Sequence, residues 1–209
     1  YALSTVDQGI PRVRSIIHRS VLHLEAPVPL LVSTTDIRTP KVGQILASDG
    51  NIAEIAWWIE GASEQYRITA RTHILPSKNN PLYANFPFTR LSPHLDLEYA
   101  QQWWEEQRID HFNNKMGGVL RASFCRATPG ADLPSGYDTA KKWPQELPKY
   151  GLTEHGTKEE GQVREALGNF SLLVLEPFAV DRVELGIVPN RRTQWDFKGE
   201  VWVEKIVVP

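Results

Sequence analysis

Five residues in one run of eight, Thr34, Thr35, Arg38, Thr39 and Lys41, have the types that hold a phosphate group. The apolar stretch "PLLVS" ahead of them reads as a buried strand. Val42, Ile45 and Leu46 behind them recur at helical spacing, and Pro40 suits a first turn. Cations at a helix start oppose the macrodipole, and a bound anion would resolve the conflict. Arg12 and Arg14, two apart, share a face if they lie on a strand, and so do Gln65 and Arg67. Arg14 and the Arg38–Lys41 cluster would converge if their strands are neighbours. Two or three cations with a hydroxyl can grip a phosphate, while a Gln and backbone groups read a polar heterocycle. Taken alone, the same residues are equally readable as surface charge on strand edges.

The elements needed to position these groups are legible in outline. "YALSTVD", the turn "QGIP" and the extended run from Arg12 to Glu25 suggest a first hairpin. After the expected helix over Pro40–Ala47, stopped by Asp49-Gly50, "NIAEIAWWIE" and "EQYRITARTHIL" suggest a second. Alternation there is read at Ile52, Ile55, Trp57 and Ile59. "DLEYAQQWWEEQR" has helical spacing, and a further helix is expected from Ile109 to about Ser123. Residues 135–156 lie in a Pro- and Gly-rich connection, a long loop or insertion. "TKEEGQVREALG" is expected to be a helix, with Thr157 and Glu160 in capping-box spacing. Alternating strands complete the chain. Strands at both ends with helices between them predict a single α+β domain over residues 1–209, a β-barrel closed by its N- and C-terminal strands.

Composition narrows the function classes. Of 209 residues, 41% are hydrophobic and 23% charged, an ordinary globular balance, and the net charge of −2 offers no footprint for nucleic acid or an anionic membrane. One cysteine, Cys125, cannot form an internal disulfide and fits a reducing compartment, so a cytoplasmic location is expected. The chain starts at Tyr1 rather than Met, which leaves an upstream element or signal open. GxxxxGK[ST], GxGxxG, GxSxG and HExxH are all absent, and the six histidines have no ligand spacing, so no metal is expected. Trp57 and Trp58 must point to opposite faces of a strand, and Trp103 and Trp104 can border one helix face. Packing explains these four; Trp195 or Trp202 could stack on a planar ligand.

In order and wording, five pieces of the chain resemble the pyridoxamine 5′-phosphate oxidase-like family of FMN-binding split barrels. They are "STVDQGIPRVRSIIHR", "TTDIRTPKVGQI", "AEIAWWIEGASEQYRITAR", "FCRATPGADLP" and the final "NFSLLVLEPFAVDRVELGIVPNRRTQWDFKGEVWVEKIVVP". The resemblance implies an FMN-binding split β-barrel with peripheral helices, and a homodimer with FMN at the subunit interface. It gives Arg14 to the FMN phosphate and the backbone of Ser15, Ile16 and Ile17 to the flavin ring. Arg19 falls where the family often has a Lys near flavin and substrate. Thr34 and Thr35 would touch the cofactor. Arg38, Thr39 and Lys41 match the phosphate cluster, with Pro40 shifting the local register. Gln65 would contact the flavin, and Ser123 would meet it from the other subunit.

The C-terminal pattern departs from the oxidases. Glu184-Leu185-Gly186 stands where they carry Glu-Phe-Trp, and Arg191-Arg192-Thr193-Gln194-Trp195-Asp196 where they carry Arg-Leu-His-Asp-Arg. Arg192 can serve as the first Arg, Gln194 replaces the His, and Arg19, Arg192 and Gln194 are the candidate substrate contacts. The expected activity is that of an FMN-dependent oxidoreductase on a small molecule, phosphorylated or not. The alternatives are a non-catalytic FMN- or pyridoxal-phosphate-binding protein and a barrel without cofactor.

Overall fold

A computed structural model describes residues 1–24, 28–134 and 136–209. Glu25, the end of the first extended run, and Ser135, the start of the expected long loop, lie outside the described residues. The chain divides into two compact units. One comprises Tyr1–Ser33, Gly43–His73 and Val174–Pro209; the other comprises Thr34–Val42 and Ile74–Leu173.

The first unit is built on strands. β1 (Ala2–Asp7) and β2 (Ile10–Ser15) form an antiparallel hairpin across Gln8-Gly9. Both turn residues have positive φ, 49° and 83°, the backbone that a two-residue turn between twisted strands requires. The run expected to extend unbroken from Arg12 leaves the strand conformation over residues 16–19 and resumes as β3 (Ser20–Leu22). β4 spans Leu30–Asp36, and α1, Pro40–Ala47, has the bounds read from its sequence. The second hairpin is β5 (Ile52–Ile59) with β6 (Glu64–Leu75). On β5 the inward residues are Ala53 and Ile55, whereas Ile52 is 43% exposed. Positions 52 and 55 are three apart and cannot share a strand face. β7 (Phe170–Glu184), β8 (Arg191–Lys198) and β9 (Val201–Val207) end the chain.

The strands form one sheet in the order β2-β1-β5-β6-β7-β4-β3, extended by β8 on β7 and β9 on β8. It does not close, contrary to the closed barrel expected. Outer strands β2 and β9 keep open edges and expose Ile10, Val13, Val203 and Ile206. Leu3, Leu30, Ile55, Val174 and Leu175 are fully buried and form the core of the sheet.

The second unit is mainly helical: α2 (Phe88–Leu91), α3 (Leu97–Asn114), α4 (Gly118–Ser123), α5 (Tyr137–Ala140) and α6 (Lys158–Asn169). No separate helix begins at Ile109, because α3 continues through it to Asn114 and the chain breaks at Gly117. Trp104, Phe112 and Phe170 are fully buried here. Two buried arginines stitch the helices together. Arg108 is paired with Glu105 and donates to the carbonyls of Leu167 and Phe170; Arg121 donates to those of Met116 and Leu147. Thr157 caps α6 at the Glu160 N–H, and the Glu160 carboxylate returns to the Gly156 N–H.

Candidate functional site

The end of β4 and the start of α1 carry the first group of candidates. The Lys41 ammonium donates to the Thr35 hydroxyl at 2.9 Å and to the Thr39 hydroxyl at 3.2 Å, and the two oxygens are 3.2 Å apart. The buried Asp36 carbonyl collects the Thr39 hydroxyl at 2.8 Å and fixes the turn. α1 has no acidic residue in its first turn, so the ammonium and hydroxyls form an anion-type donor set. Thr34, one residue from Thr35 on the strand, belongs to the opposite face.

Arg38 does not join this set. Its fork pairs with Asp36 at 3.0 and 2.7 Å, and it donates to the carbonyls of Phe124 and Arg126 at 3.1 and 3.0 Å. The bond to Asp36 holds its guanidinium above the usual range. It is a strap that ties the turn to the end of α4. Ser123, at that end, gives its hydroxyl to the Leu120 carbonyl of its own helix.

In the sheet unit, Arg14 donates to the Thr5 hydroxyl at 2.6 Å and to Gln44 Oε1 at 2.8 Å, while Thr5 also donates to Gln44. Burial, with Arg12 nearby, pulls its guanidinium below the usual range. Thr5 and Gln44 were not anticipated. Gln44, three residues after Lys41 on α1, was the available signal, since that spacing shares a helix face. Of the segment expected to line the flavin, Ser15 pairs with Ala2 in the sheet. Ile16 exchanges both backbone groups with Tyr1, and the Ile17 carbonyl accepts the Ser33 hydroxyl. Arg19 is partly buried, which lowers its basicity, and its N–H is bonded to the Val32 carbonyl. His18 and Tyr1 pack around Trp57, and burial raises the Tyr1 phenol to about 12.

The second cluster centres on Asp181 of β7. Its carboxylate accepts from Arg192 Nε at 3.0 Å and Nη2 at 2.7 Å, from Gln194 at 3.0 Å and from Arg67 at 3.0 Å. The Arg192 bond, with Gln194 and Arg67 in support, holds this carboxyl below the usual carboxylate range. Register explains the convergence: Gln194 is directly opposite Asp181, and Arg192 is two residues along the same face of β8. Gln65, the expected flavin contact, shares the β6 face of Arg67 and Thr69. The cluster borders a cavity of about 250 Å³ lined by Glu54, Arg67, Thr69, Asp181, Gln194 and Asp196. Sequence reading missed Asp181. The signal was a lone acid amid the apolar alternation of "PFAVDRVE". A second, more open hollow of about 390 Å³ is lined by Val180, Trp195 and Trp202, with the Arg182 guanidinium 5.4 Å from the Trp195 ring.

Among the described residues no group of His, Cys, Asp or Glu could hold a metal, and no helix is long and apolar enough to cross a membrane. Burial raises the Cys125 thiol above its usual range, the opposite of an activated nucleophile.

Residues 1–76 match the family described as pyridoxamine 5′-phosphate oxidase, FMN-binding domain. This is the family that the sequence resembles. Arg14, Arg19, Thr35, Thr39, Lys41 and Gln65 fall inside the matched segment, whereas Ser123, Arg192 and Gln194 fall outside it. Comparison with solved structures finds a pyridoxamine 5′-phosphate oxidase-related, FMN-binding protein from Nostoc punctiforme PCC 73102. It is 21% identical, with a TM-score of 0.70, over 100% of this chain and 87% of that one. PhzG from Burkholderia lata 383, solved with tetrahydrophenazine-1-carboxylic acid, is 13% identical, with a TM-score of 0.57, over 100% and 81%. At these identities the likeness is one of fold, and the fold is the FMN-binding split barrel with peripheral helices. No curated protein matches the chain significantly.

Proposed function

We propose that this chain is an FMN-dependent oxidoreductase of the pyridoxamine 5′-phosphate oxidase type, acting on a small molecule. The observation that carries this reading is the Lys41–Thr35–Thr39 donor set inside the segment matched by an FMN-binding domain. An ammonium and two hydroxyls, ahead of a helix turn free of acids, suit a phosphate monoester. FMN, when bound, supplies two-electron chemistry at its ring, so no protein nucleophile is required. The protein's part is to anchor the phosphate, orient the ring and hold a partner molecule. Lys41, Thr35 and Thr39 are the anchor; Arg14 has the same role by resemblance. Gln65 and the Ser15–Ile17 backbone are the ring contacts, and Arg19, Arg192 and Gln194 face the substrate. The molecule works as a homodimer with FMN at the interface, to which Ser123 contributes, and it resides in the cytoplasm.

The test is an FMN titration followed by flavin fluorescence, with riboflavin alongside. Saturable FMN binding with much weaker riboflavin binding supports the reading; no saturable binding of FMN refutes it.

The second reading is a non-catalytic FMN- or pyridoxal-phosphate-binding protein. The capture of Arg192 and Gln194 by Asp181 favours it, because these were the candidate substrate contacts. Oxidation of pyridoxamine or pyridoxine phosphate with peroxide release would rule it out.

A further inference from the structure

Asp181 sits where two cations and an amide converge, and its carboxylate already has four donors. The cavity beside it has three carboxylates, Glu54, Asp181 and Asp196, and one lining cation, Arg67. Arg192 is bound to Asp181, and Lys198 to Asp196 at 3.1 Å. Three acids against three cations leave no positive excess. An incoming dianion would have to displace Asp181 from its guanidinium partners and then sit beside it. Like charges at that separation repel strongly in a partly desolvated site. Arg67 also has its Nε–H buried with no acceptor. A donor in that state favours a ligand oxygen that does not compete for the Asp181 bonds.

We infer that Asp181 is the specificity-determining residue of this cavity, an internal anion that closes it to phosphate-bearing ligands. The cavity takes a small, uncharged or cationic polar molecule with a carbonyl or hydroxyl acceptor for Arg67 and a donor group for Glu54. As a statement about the substrate, this inference rests on the FMN reading; as a statement about the charge of the cavity, it does not. The oxidases' phosphorylated substrates would therefore be poor ligands here, although Arg192 is present.

The probe is inorganic phosphate, titrated calorimetrically into FMN-loaded wild type, Asp181→Asn and Asp181→Asn/Arg192→Gln. Asn keeps the shape and one acceptor but removes the charge, so Arg67 and Arg192 become available. The expected result is no saturable phosphate site in the wild type. Asp181→Asn should gain one, at least tenfold tighter than any wild-type binding, and the Arg192→Gln change should abolish the gain. If the protein takes up no FMN, the same titrations are run on the Lys41→Ala background, which removes the other cationic cluster. The failure of the FMN reading is then separate from the failure of this one. Wild type that binds phosphate and loses it on Arg192→Gln would overturn the inference, and needs no Asp181 variant to fold. So would an Asp181→Asn protein that melts normally and gains nothing.

Discussion

Removing the Lys41 ammonium separates the phosphate anchor from the rest of the proposed flavin site. Its two threonine partners at 2.9 and 3.2 Å mark where an anion's oxygens would lie. A hydrogen bond to a charged group contributes about 1.5–3 kcal/mol net. Lys41→Met, which keeps the apolar stem, should therefore weaken FMN binding by about 10- to 150-fold. Riboflavin, lacking the phosphate, should bind wild type and variant alike. Thr39→Val removes a neutral hydroxyl and should cost about 0.5–1.5 kcal/mol, or roughly 2- to 13-fold, again for FMN alone. Arg38 supplies the contrast. Arg38→Ala strands the Asp36 carboxylate, whose side chain is only 8% exposed, and removes the donor from two carbonyls. Breaking such a pair costs about 3 kcal/mol, a Tm fall of about 6–12 °C in a chain of this length, with little change in the FMN-to-riboflavin ratio. Fluorescence titration of both flavins against all four proteins, with thermal melts, reads every term. Equal losses of FMN and riboflavin in Lys41→Met, or an Arg38→Ala variant that loses FMN selectively and melts normally, would refute the assignment.

Other outcomes follow from the packing. Arg108→Leu should lower Tm by about 6–20 °C, because Glu105 and the carbonyls of Leu167 and Phe170 lose a donor that is 2% exposed, a cost of about 3–5 kcal/mol; differential scanning fluorimetry checks this. A Cβ at Gly118 would meet the Leu147 carbonyl oxygen at 2.8 Å, so Gly118→Ala should destabilise by about 1–3 kcal/mol in urea titrations. The Gly156 N–H, with His155 and Arg164, holds the Glu160 carboxyl down at about 2. A depressed folded-state pKa stabilises above the unfolded value and is lost as pH falls. The stability gap between wild type and Glu160→Gln should thus be full at pH 7 and shrink between about pH 4.5 and 2, as followed by melts across that window.

Local signals carried most of the elements. α1 was readable because Pro40, the Val42–Ile45–Leu46 spacing and Asp49-Gly50 all agreed on its bounds, and α6 because Thr157 and Glu160 marked its start. The errors have physical causes. Ile109 continues the spacing of α3, so a new start there had no cap to support it, whereas Gly117 just beyond does interrupt the helix. Closure of the sheet depends on which edges pair over long sequence separations. Nothing in "RVRS" or "VWVEKIV" distinguishes a paired edge from an open one.

The candidate site divides along the same line. Residue type and spacing indicate where charge will gather, but not which charges will neutralise each other. Arg38 and Lys41 lie three apart in the sequence, yet one is a strap on Asp36 while the other holds two hydroxyls. The difference comes from Asp36, two residues before Arg38 and within reach of its fork. A short acid-to-arginine spacing beside a cationic cluster is therefore a reason to subtract that arginine from a ligand site. Across strands the equivalent rule needs register. Arg192 and Gln194 face Asp181 only because β8 pairs with β7 at Asp181–Gln194; a slip of one residue would turn the carboxylate to the other side and leave both cationic side chains open to an anion. Whether this cavity reads phosphate thus depends on a pairing register, which no single segment of the sequence contains.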